Sequence, residues 1–532
     1  MKNKYSKLLS PVVIGRHVLK NRIVYPNASP HTLQGSETFP AEGFRIYHAN
    51  LAKNGAAIVT IAEWCNPLQH KGPDSLDFTH MQAFDIKDPS NQNYFSLMAE
   101  EIHFFGSKLL ICPMVDWPAG YSLYGGPKPG PPAPDGRVEF NKVIPEYMIP
   151  DVIENFIKKM ELYKNLGYDG MSMRCDMEIL PPRGSREGKY SEKTIESRSE
   201  FIREVYKKTR ERFGNDFILE AEIAWEQPFG YGPNPFGKVN ADEVMKFCKL
   251  IDGYVDIFQI RERDVCRSHP TGFNFYQGEH PAVDFAVRMK AEGIKALLEP
   301  IGGFQEPDEM DALIGEGKCD LIGMARGFIA DSKYGEKLLE GVGEDITPCL
   351  KCNKCHGTIL DKPDPWISVC SVNPVHGLAH EIQHLIDPVK KIKKVGVIGG
   401  GAAGMRAAIE AATRGHRVTL YEKKEKLGGQ LIHGDRFDFK WPIKKYKDWL
   451  INQLKKNDIK VILGHAPTGE EVKKEEFDAV LVATGARPKY PANIKGLKDD
   501  MGNPLYHVCD DIWNDDVELG NHVIIIGGSE TG

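Results

Sequence analysis

Short apolar runs at 22–25, 56–62, 108–115, 170–174, 217–223, 255–260, 296–299 and 320–324 are separated by segments such as 151–166, 194–213 and 281–292, whose apolar residues recur every three or four positions. A brief apolar run bounded by turns suits a strand buried on both faces, and the three-and-four spacing suits a helix with one buried stripe. Parallel strands need such crossover helices. Eight repeats in about 330 residues predict an α/β fold that begins with a (β/α)8 TIM barrel, whose chemistry sits on the loops after the C-terminal ends of the strands. The Gly- and Pro-rich stretch 120–150 shows no periodicity and is read as a long loop after the third strand, placed to roof that face.

The chain of 532 residues is 41% hydrophobic and 27% charged with a net charge of −6, which suits about three folded domains. This excludes a disordered tail, a collagen and a nucleic-acid binder built on bulk basicity. No apolar stretch reaches the ~18 residues of a membrane span, and residues 1–15 lack the apolar core of a signal peptide. A cytoplasmic protein away from membranes is expected.

In a reducing compartment, eleven cysteines point to metal or redox duty rather than disulfides. Cys349, Cys352, Cys355 and Cys370 are spaced Cys-x2-Cys-x2-Cys-x14-Cys. Two-residue gaps let three thiolates converge from one loop, with a fourth from the returning chain, as a [4Fe–4S] cluster requires. A structural zinc, with His356 as a possible ligand, and unligated thiols are the alternatives. Position between two candidate flavin regions favours iron.

Near residue 390 the composition changes to a Gly-rich βα unit, Val395-Gly-Val-Ile-Gly399-Gly-Gly401-Ala-Ala403-Gly404, followed by an Ala-rich helix. The glycines allow a tight turn and bring backbone N–H groups to a pyrophosphate at the positive helix end. Glu422, eighteen residues beyond Gly404, ends the run 417–421, where a carboxylate can hold a ribose hydroxyl. Gly428-Gly429-Gln430-Leu431 and Ala483-Thr-Gly485-Ala486 are further features of FAD-binding reductases. A last apolar run, 523–526, leads into Gly527-Gly-Ser-Glu-Thr-Gly532, a second nucleotide fingerprint without its crossover helix, so the chain is expected to be cut off inside a further domain.

In the barrel, Pro300-Ile-Gly302-Gly303-Phe304 follows the seventh run and Gly323-Met-Ala325-Arg326 spans the end of the eighth. Loops in those places form the usual phosphate site of a TIM barrel, with Gly302 and Gly303 turning amides toward an anion and Arg326 adding a charged fork. Two ordinary βα turns would read the same way.

These motifs in this order resemble the multidomain Old yellow enzyme family, the 2,4-dienoyl-CoA reductase and trimethylamine dehydrogenase group. The likeness covers nearly the whole chain, from Leu19-Lys-Asn-Arg22-Ile-Val through Asp320-Leu-Ile-Gly-Met-Ala-Arg326, Ile329-Ala-Asp331 and the cysteines ahead of Val372-Asn373-Pro374 to both fingerprints. The cysteine spacing is more similar to that of the amine dehydrogenase. The resemblance implies an FMN barrel over 1–340, with Pro26, Ala28, Cys112, Glu222, Gly302, Gly303, Ala325 and Arg326 at the flavin. It implies a [4Fe–4S] segment over 341–390, an FAD-binding domain over 391–522, and the start of an NAD(P)-binding domain over 523–532. Because hydride passes only between atoms roughly 3–3.5 Å apart, the centres are expected to work in series, NAD(P)H to FAD to cluster to FMN to substrate.

The departures lie where a substrate would sit. Family members carry two His and a Tyr after strand four; here Arg174 and Met177 stand at the His positions and Ile179 at the Tyr position. Arg174 can polarise a carbonyl or pair with a carboxylate, or can pair with Asp176 or Glu178 at the barrel rim. The strand-five Arg that the family places at the flavin pyrimidine edge is replaced by Glu222 or Glu220, and the strand-three Gln by Cys112. A carboxylate there is unfavourable beside a reduced flavin unless it is protonated or turned away, so a retired barrel site is one reading. His269, in the loop after strand six, is the candidate proton donor, with Tyr121, Tyr124 and Tyr231 as others.

The expected protein is an NAD(P)H-dependent ene-reductase whose small-molecule substrate is a conjugated carbonyl compound and which assembles as a homo-oligomer, with Arg174, Asp176 and His269 as catalytic residues. Trp117 and Tyr124 in the long loop suggest a bulky or cyclic substrate. The alternatives are an amine dehydrogenase or demethylase and a non-catalytic electron-transfer subunit.

Overall fold

The computed structural model describes residues 3–28, 42–65, 82–83, 86–124, 126–127, 140–175, 186–225, 240–261, 280–356, 369–378, 389–486, 505–508, 517 and 520–526. The chain divides into two compact units, Met1–Asp387 and Pro388–Gly532.

In the first unit every apolar run of the sequence supplies a strand: β1 (Ile23–Tyr25), β2 (Ile58–Ala62), β3 (Lys108–Cys112), β4 (Gly170–Arg174), β5 (Ile218–Ala224), β6 (Ile257–Arg261), β7 (Leu297–Pro300) and β8 (Ile322–Gly323). All pair in parallel in the order β7-β6-β5-β4-β3-β2-β1-β8. A parallel bridge from Ile301, just past β7, to Gly323 in β8 closes the ring. The connections carry helices α1 (Glu42–Lys53), α2 (Pro89–Phe104), α3 (Ile149–Asn165), α4 (Ile195–Phe213), α5 (Ala241–Ile251), α6 (Pro281–Ala291) and α7 (Pro307–Gly315), with α8 (Arg326–Ala330) and α9 (Tyr334–Glu340) after β8.

Successive strand residues point to opposite faces. The outward set, including Ile61, Ile111, Met173, Ile223 and Ile260, packs in one cluster with the buried faces of the helices. On α3 that face is Ile149, Val152, Ile153, Phe156, Ile157, Met160 and Tyr163, recurring at helical spacing, and each such side chain contributes about 1.5–3 kcal/mol by leaving water. Helix α4 starts where Thr194 accepts from the Ser197 amide while the Ser197 hydroxyl reaches back to the Thr194 amide.

The inward set forms a second cluster at the barrel floor: Val24, Ile58, Leu110, Ile218, Ile257 and Leu321. Beneath them lies a hairpin, Val12–Ile14 paired with His17–Leu19, which adds Ile14 and Leu19 to the same cluster. Its turn uses Gly15 at φ +55°, where a Cβ would come 2.4 Å from the Asn215 carbonyl oxygen. The strand pattern did not include this hairpin, although alternation around a Gly-Arg turn is its usual signal.

The stretch 120–150 differs from the irregular loop expected. Tyr121–Ser122, Gly126–Pro127 and Phe140–Val143 form a small three-stranded sheet. Arg186, itself buried, donates through Nη1 to the Leu123 and Ile144 carbonyls and ties both ends of the stretch together. Two backbone acceptors 21 residues apart in sequence explain why composition alone did not reveal it.

The second unit holds β9 (Lys394–Ile398), α10 (Ala402–Thr413), β10 (Arg417–Tyr421), α11 (Trp441–Lys456), β11 (Lys460–Ile462) and β12 (Ala479–Val482). The parallel order is β11-β10-β9-β12. Chain order reverses between β9 and β12, and open α/β sheets bind ligands at such a switch point. Gly399 and Ala483–Gly485 stand there. The apolar run 523–526 has no strand partner among the described residues, and Val523, Ile524, Ile525 and Ile526 are exposed; Gly527–Gly532 lie outside the described residues. Among the described residues no helix is long and apolar enough to cross a membrane.

A Cβ on Gly404 would sit 1.8 Å from the Gly399 carbonyl oxygen, so α10 can approach the turn only with glycine there. Gly404→Ala is expected to destabilise the second unit by about 3 kcal/mol, read as a lower denaturant midpoint. Gly469→Ala, whose Cβ meets nothing within 4 Å, is the control. Equal midpoints for the two variants contradict this reading of the turn.

Candidate active site

TIM-barrel interiors usually carry branched apolar layers throughout. Here that holds only at the floor. Above it, the inward positions are Cys112 on β3, Ser172 and Arg174 on β4, Glu220 and Glu222 on β5, Gln259 and Arg261 on β6, and Glu299 on β7. Parallel register sets these levels, with Ser172 opposite Glu220, Arg174 opposite Glu222, and Gln259 opposite Glu299.

Glu220, Glu222, Gln259, Glu299 and Ser172 are all fully buried. Gln259 Nε2 donates to Glu220 Oε1 at 2.8 Å, and Ser172 Oγ reaches both Glu220 Oε1 and Glu222 Oε1, the latter at 2.9 Å. At the mouth, Arg261 Nη2 donates to Glu222 Oε2 and, at 3.0 Å, to Gln259 Oε1. Arg174 Nε lies 4.0 Å from the same Glu222 oxygen. Burial pushes the Glu220 carboxyl up to about 7, Glu222 adds to the rise, and the Ser172 hydrogen bond opposes it. Burial, then Glu220, holds Glu299 well above the carboxylate range. Burial also raises the Cys112 thiol, which faces Glu222.

This arrangement answers the difficulty of the strand-five carboxylate. Glu222 is neither exposed nor turned away; Arg261, on the neighbouring strand, meets it directly. Arg261 was not singled out from sequence, because its value depends on the register between β5 and β6, which places Ala224 beside it and Glu222 within reach. The partner found for Arg174 is this cross-strand Glu222; Asp176, Met177, Glu178 and Ile179 lie outside the described residues, as do Tyr231 and His269.

Two of the aromatic side chains of this region pack against α4. Tyr124 is buried and its hydroxyl donates to the Arg198 carbonyl at 3.1 Å, which commits it to holding the loop on α4. Trp117 packs against Phe201 with ring centroids 5.1 Å apart. Tyr121 packs partly buried against the core.

After β7, Gly302 and Gly303 take φ of +109° and +76°, a backbone conformation that glycine adopts without steric cost. His280 braces them: its Nδ1 lies 3.0 Å from the Gly302 carbonyl, its ring stacks on Phe304 at 4.0 Å, and its Nε2 meets Glu309 at 3.0 Å. A Cβ on Gly303 would lie 3.3 Å from Lys351 Nζ, so an ammonium from the cysteine segment stands beside this turn. At the other expected flavin positions, Pro26 is buried, and the Ala28 carbonyl accepts from the Tyr25 hydroxyl at 2.6 Å.

Cys349, Cys352, Cys355 and Cys370 line a single cavity, together with Arg326 and Ile329. Lys351 and Asn353, at φ +52° and +57°, turn the chain sharply between the first three cysteines. Gln305 Oε1 accepts from the Cys349 amide at 2.7 Å, and Asn373 Nδ2 donates to the Ile329 carbonyl at 2.8 Å, fixing the returning segment that brings Cys370. Burial pushes Cys355 up to about 12 and Cys370 up to about 11, so these groups become thiolates only with a strong positive centre beside them. Among the described residues no three His, Cys, Asp or Glu side chains form a group that holds a metal ion; the sulfurs surround an open space instead. Arg326, expected at a phosphate, lines this cavity next to Ala325 and donates to Asn353 Oδ1.

In the second unit the predicted cradle is assembled. Gly399 has φ +116°, and a Cβ there would meet the Ala483 carbonyl oxygen at 2.3 Å. Gly401 caps α10, which contains Ala403 and Gly404. A bridge joins Gly401 to Gly428, and a Cβ on Gly429 would lie 2.8 Å from Gly401 Cα. Glu422 accepts the Gly400 amide at 2.6 Å and the Lys424 amide at 2.9 Å. Gln430 Oε1 pairs with His433, and Gly485 takes φ +75°.

Comparison with known proteins fits this division. Residues 7–345 match the NADH:flavin oxidoreductase / NADH oxidase family, and residues 393–532 match the pyridine nucleotide-disulphide oxidoreductases. The NADH oxidase of Thermoanaerobacter brockii is 28% identical over 99% of this chain and 80% of its own. The cinnamate reductase of Clostridium sporogenes is 26% identical over 100% of this chain and 81% of its own. A solved structure of 2-naphthoyl-CoA reductase with 2-naphthoyl-CoA shares the fold, with a TM-score of 0.80 at 24% identity, covering 97% of this chain and 79% of that one.

Because Glu220 and Glu299 bind protons more tightly folded than unfolded, their contribution to stability is full below the ordinary glutamate value of 4.5 and is lost as pH rises through the folded values. For Glu220 that window runs from 4.5 to about 7 and is worth on the order of 3 kcal/mol. Flavin-free protein is expected to melt at a higher temperature at the acidic end of this window than above it, and Glu299→Gln is expected to flatten the slope. An unchanged slope in the variant contradicts the assignment.

Proposed function

The chain belongs to the NADH:flavin oxidoreductase / NADH oxidase family, and from that premise we propose that it reduces the C=C bond of an α,β-unsaturated carbonyl compound. In this reading NAD(P)H is the donor, and FAD, a [4Fe–4S] cluster and FMN stand in series between donor and substrate. The observation that carries it is the barrel mouth, where two guanidinium groups, Arg174 and Arg261, surround one carboxyl group, Glu222. A site with an excess cation attracts a carboxylate or a polarised carbonyl and repels a cationic amine, which favours reduction of enoates over oxidation of amines.

The residues present fit the groups the reading requires. The left-handed Gly302–Gly303 turn with Lys351 beside it suits a flavin phosphate, and the close packing at Gly399, Gly401, Gly404 and Gly429 leaves the backbone clearance that a dinucleotide pyrophosphate occupies. Four thiols around one cavity supply the donor set of an iron–sulfur cluster. When bound, the flavins and the cluster supply the hydride and single-electron chemistry that no side chain provides.

The chain's own part is to hold and to polarise. Arg174 ends β4 with its side chain about one-quarter exposed, so its planar fork can take a substrate carbonyl or carboxylate. Arg261, drawn to Glu222 and Gln259, keeps a positive charge fixed at the same level. In this reading the proton for the substrate comes from the loops after strands five and six, where Tyr231 and His269 stand.

Mixed anaerobically with NADH, the protein is expected to bleach its flavin and to recover colour on adding cinnamate-like acids or enones. Arg174→Ala is expected to lower kcat/KM for conjugated acids by about tenfold to a hundredfold. Metal analysis is expected to find iron and acid-labile sulfide in the proportion of one [4Fe–4S] cluster. Zinc in their place, or an Arg174→Ala variant as fast as the parent, overturns the reading.

A further inference from the structure

The centre of the barrel holds a proton that the reading above does not use. Ser172 Oγ is within hydrogen-bonding distance of Glu220 Oε1 and Glu222 Oε1. A hydroxyl has one hydrogen, so it can donate to only one of them. The other contact sets lone pair against lone pair unless that carboxyl is itself protonated and donates to Ser172. Geometry therefore places a proton among these three groups. Gln259 Nε2 donates to Glu220 Oε1, an oxygen that can accept it in either form.

On the inner side, Glu220 Oε2 and both Glu299 oxygens are fully buried with no other partner, and the two carboxyls face each other. Glu299 has room because β8 supplies Gly323, where a Cβ would lie 2.6 Å from Glu299 Oε1. The groups facing the cluster are Cys112 from β3, Arg174 from β4, Arg261 from β6 and, on the far side of β5, the Tyr206 hydroxyl, which donates to the Glu220 carbonyl. Both cations stand at the Glu222 end. The cluster is thus graded, with carboxyl against carboxyl at the centre and carboxyl against guanidinium at the mouth.

We propose that Ser172 relays a proton between Glu220 at the centre of the barrel and Glu222 at its mouth. In the outward step the O–H bond of the Glu220 carboxyl breaks and its proton bonds to Ser172 Oγ, while the original Ser172 hydrogen bonds to Glu222. One proton is transferred in net, no electron moves, and the hydroxyl is restored with its hydrogen reversed. Negative charge arriving at the mouth draws the proton outward. The use of the relay rests on the proposed function, because electrons delivered singly bring no protons with them. The relay itself does not.

The test is infrared spectroscopy of the flavin-free protein transferred from H2O to D2O. A carbonyl stretch of a protonated buried carboxyl is expected at neutral pH, absent or shifted in Glu220→Gln. Its deuterium exchange is expected to slow about tenfold or more in Ser172→Ala and to recover in Ser172→Thr, which keeps the hydroxyl. Absence of the band, or exchange in Ser172→Ala as fast as in the parent, overturns the proposal. Protein loaded with FMN should change this band on reduction by dithionite. A relay intact in flavin-free protein, in a chain that takes up no FMN, overturns the proposed function and leaves the relay standing.

Discussion

The contact between Arg261 and Glu222 governs the upper half of the barrel. Three carboxyl groups buried side by side cannot all carry charge in a low-dielectric interior. One meets a guanidinium at the mouth, and burial raises the other two above the ordinary carboxylate range. Remove Arg261, and among the described residues the remaining cation paired with the buried Glu222 is Arg174, at 4.0 Å. Such a cluster costs stability that a branched apolar layer would not, so its presence at the face where TIM barrels do chemistry argues for a working site.

That conclusion bears on the missing His pair and Tyr. Read along strand four alone, Arg174 and Met177 look like losses. Read across the strands, Arg174 joins a group of charged side chains spanning β4, β5 and β6, to which Ser172 and Gln259 add hydrogen bonds. The Gly302–Gly303 turn after β7 and the cysteine loop also meet through Lys351, whose ammonium stands against Gly303. Segments that look separate in sequence thus share side chains in the first unit.

Much of the architecture was legible because it depends on local pattern. Eight apolar runs of strand length, separated by helical periodicity, leave few ways to bury every face, and the barrel follows. The Gly399–Gly404 turn was equally plain, since only glycine tolerates a Cβ position 1.8 Å from a carbonyl. What sequence did not disclose depends on register or on distant anchors. Arg261 gains its partner only because β6 pairs with β5 in one register. The contacts of Tyr124 with Arg198 and of Trp117 with Phe201, both on α4, depend on the same tertiary packing. Arg186 turns an apparently shapeless loop into a sheet from more than forty residues away.

The central claim is that the barrel is a loaded redox site in its own right. It is tested most directly by extracting and counting the flavins of anaerobically purified protein. The account predicts FMN and FAD in equal amounts, with FMN lost selectively when Arg261 is replaced by Glu. FAD alone in the parent protein would contradict it and would mark the polar barrel as a retired site.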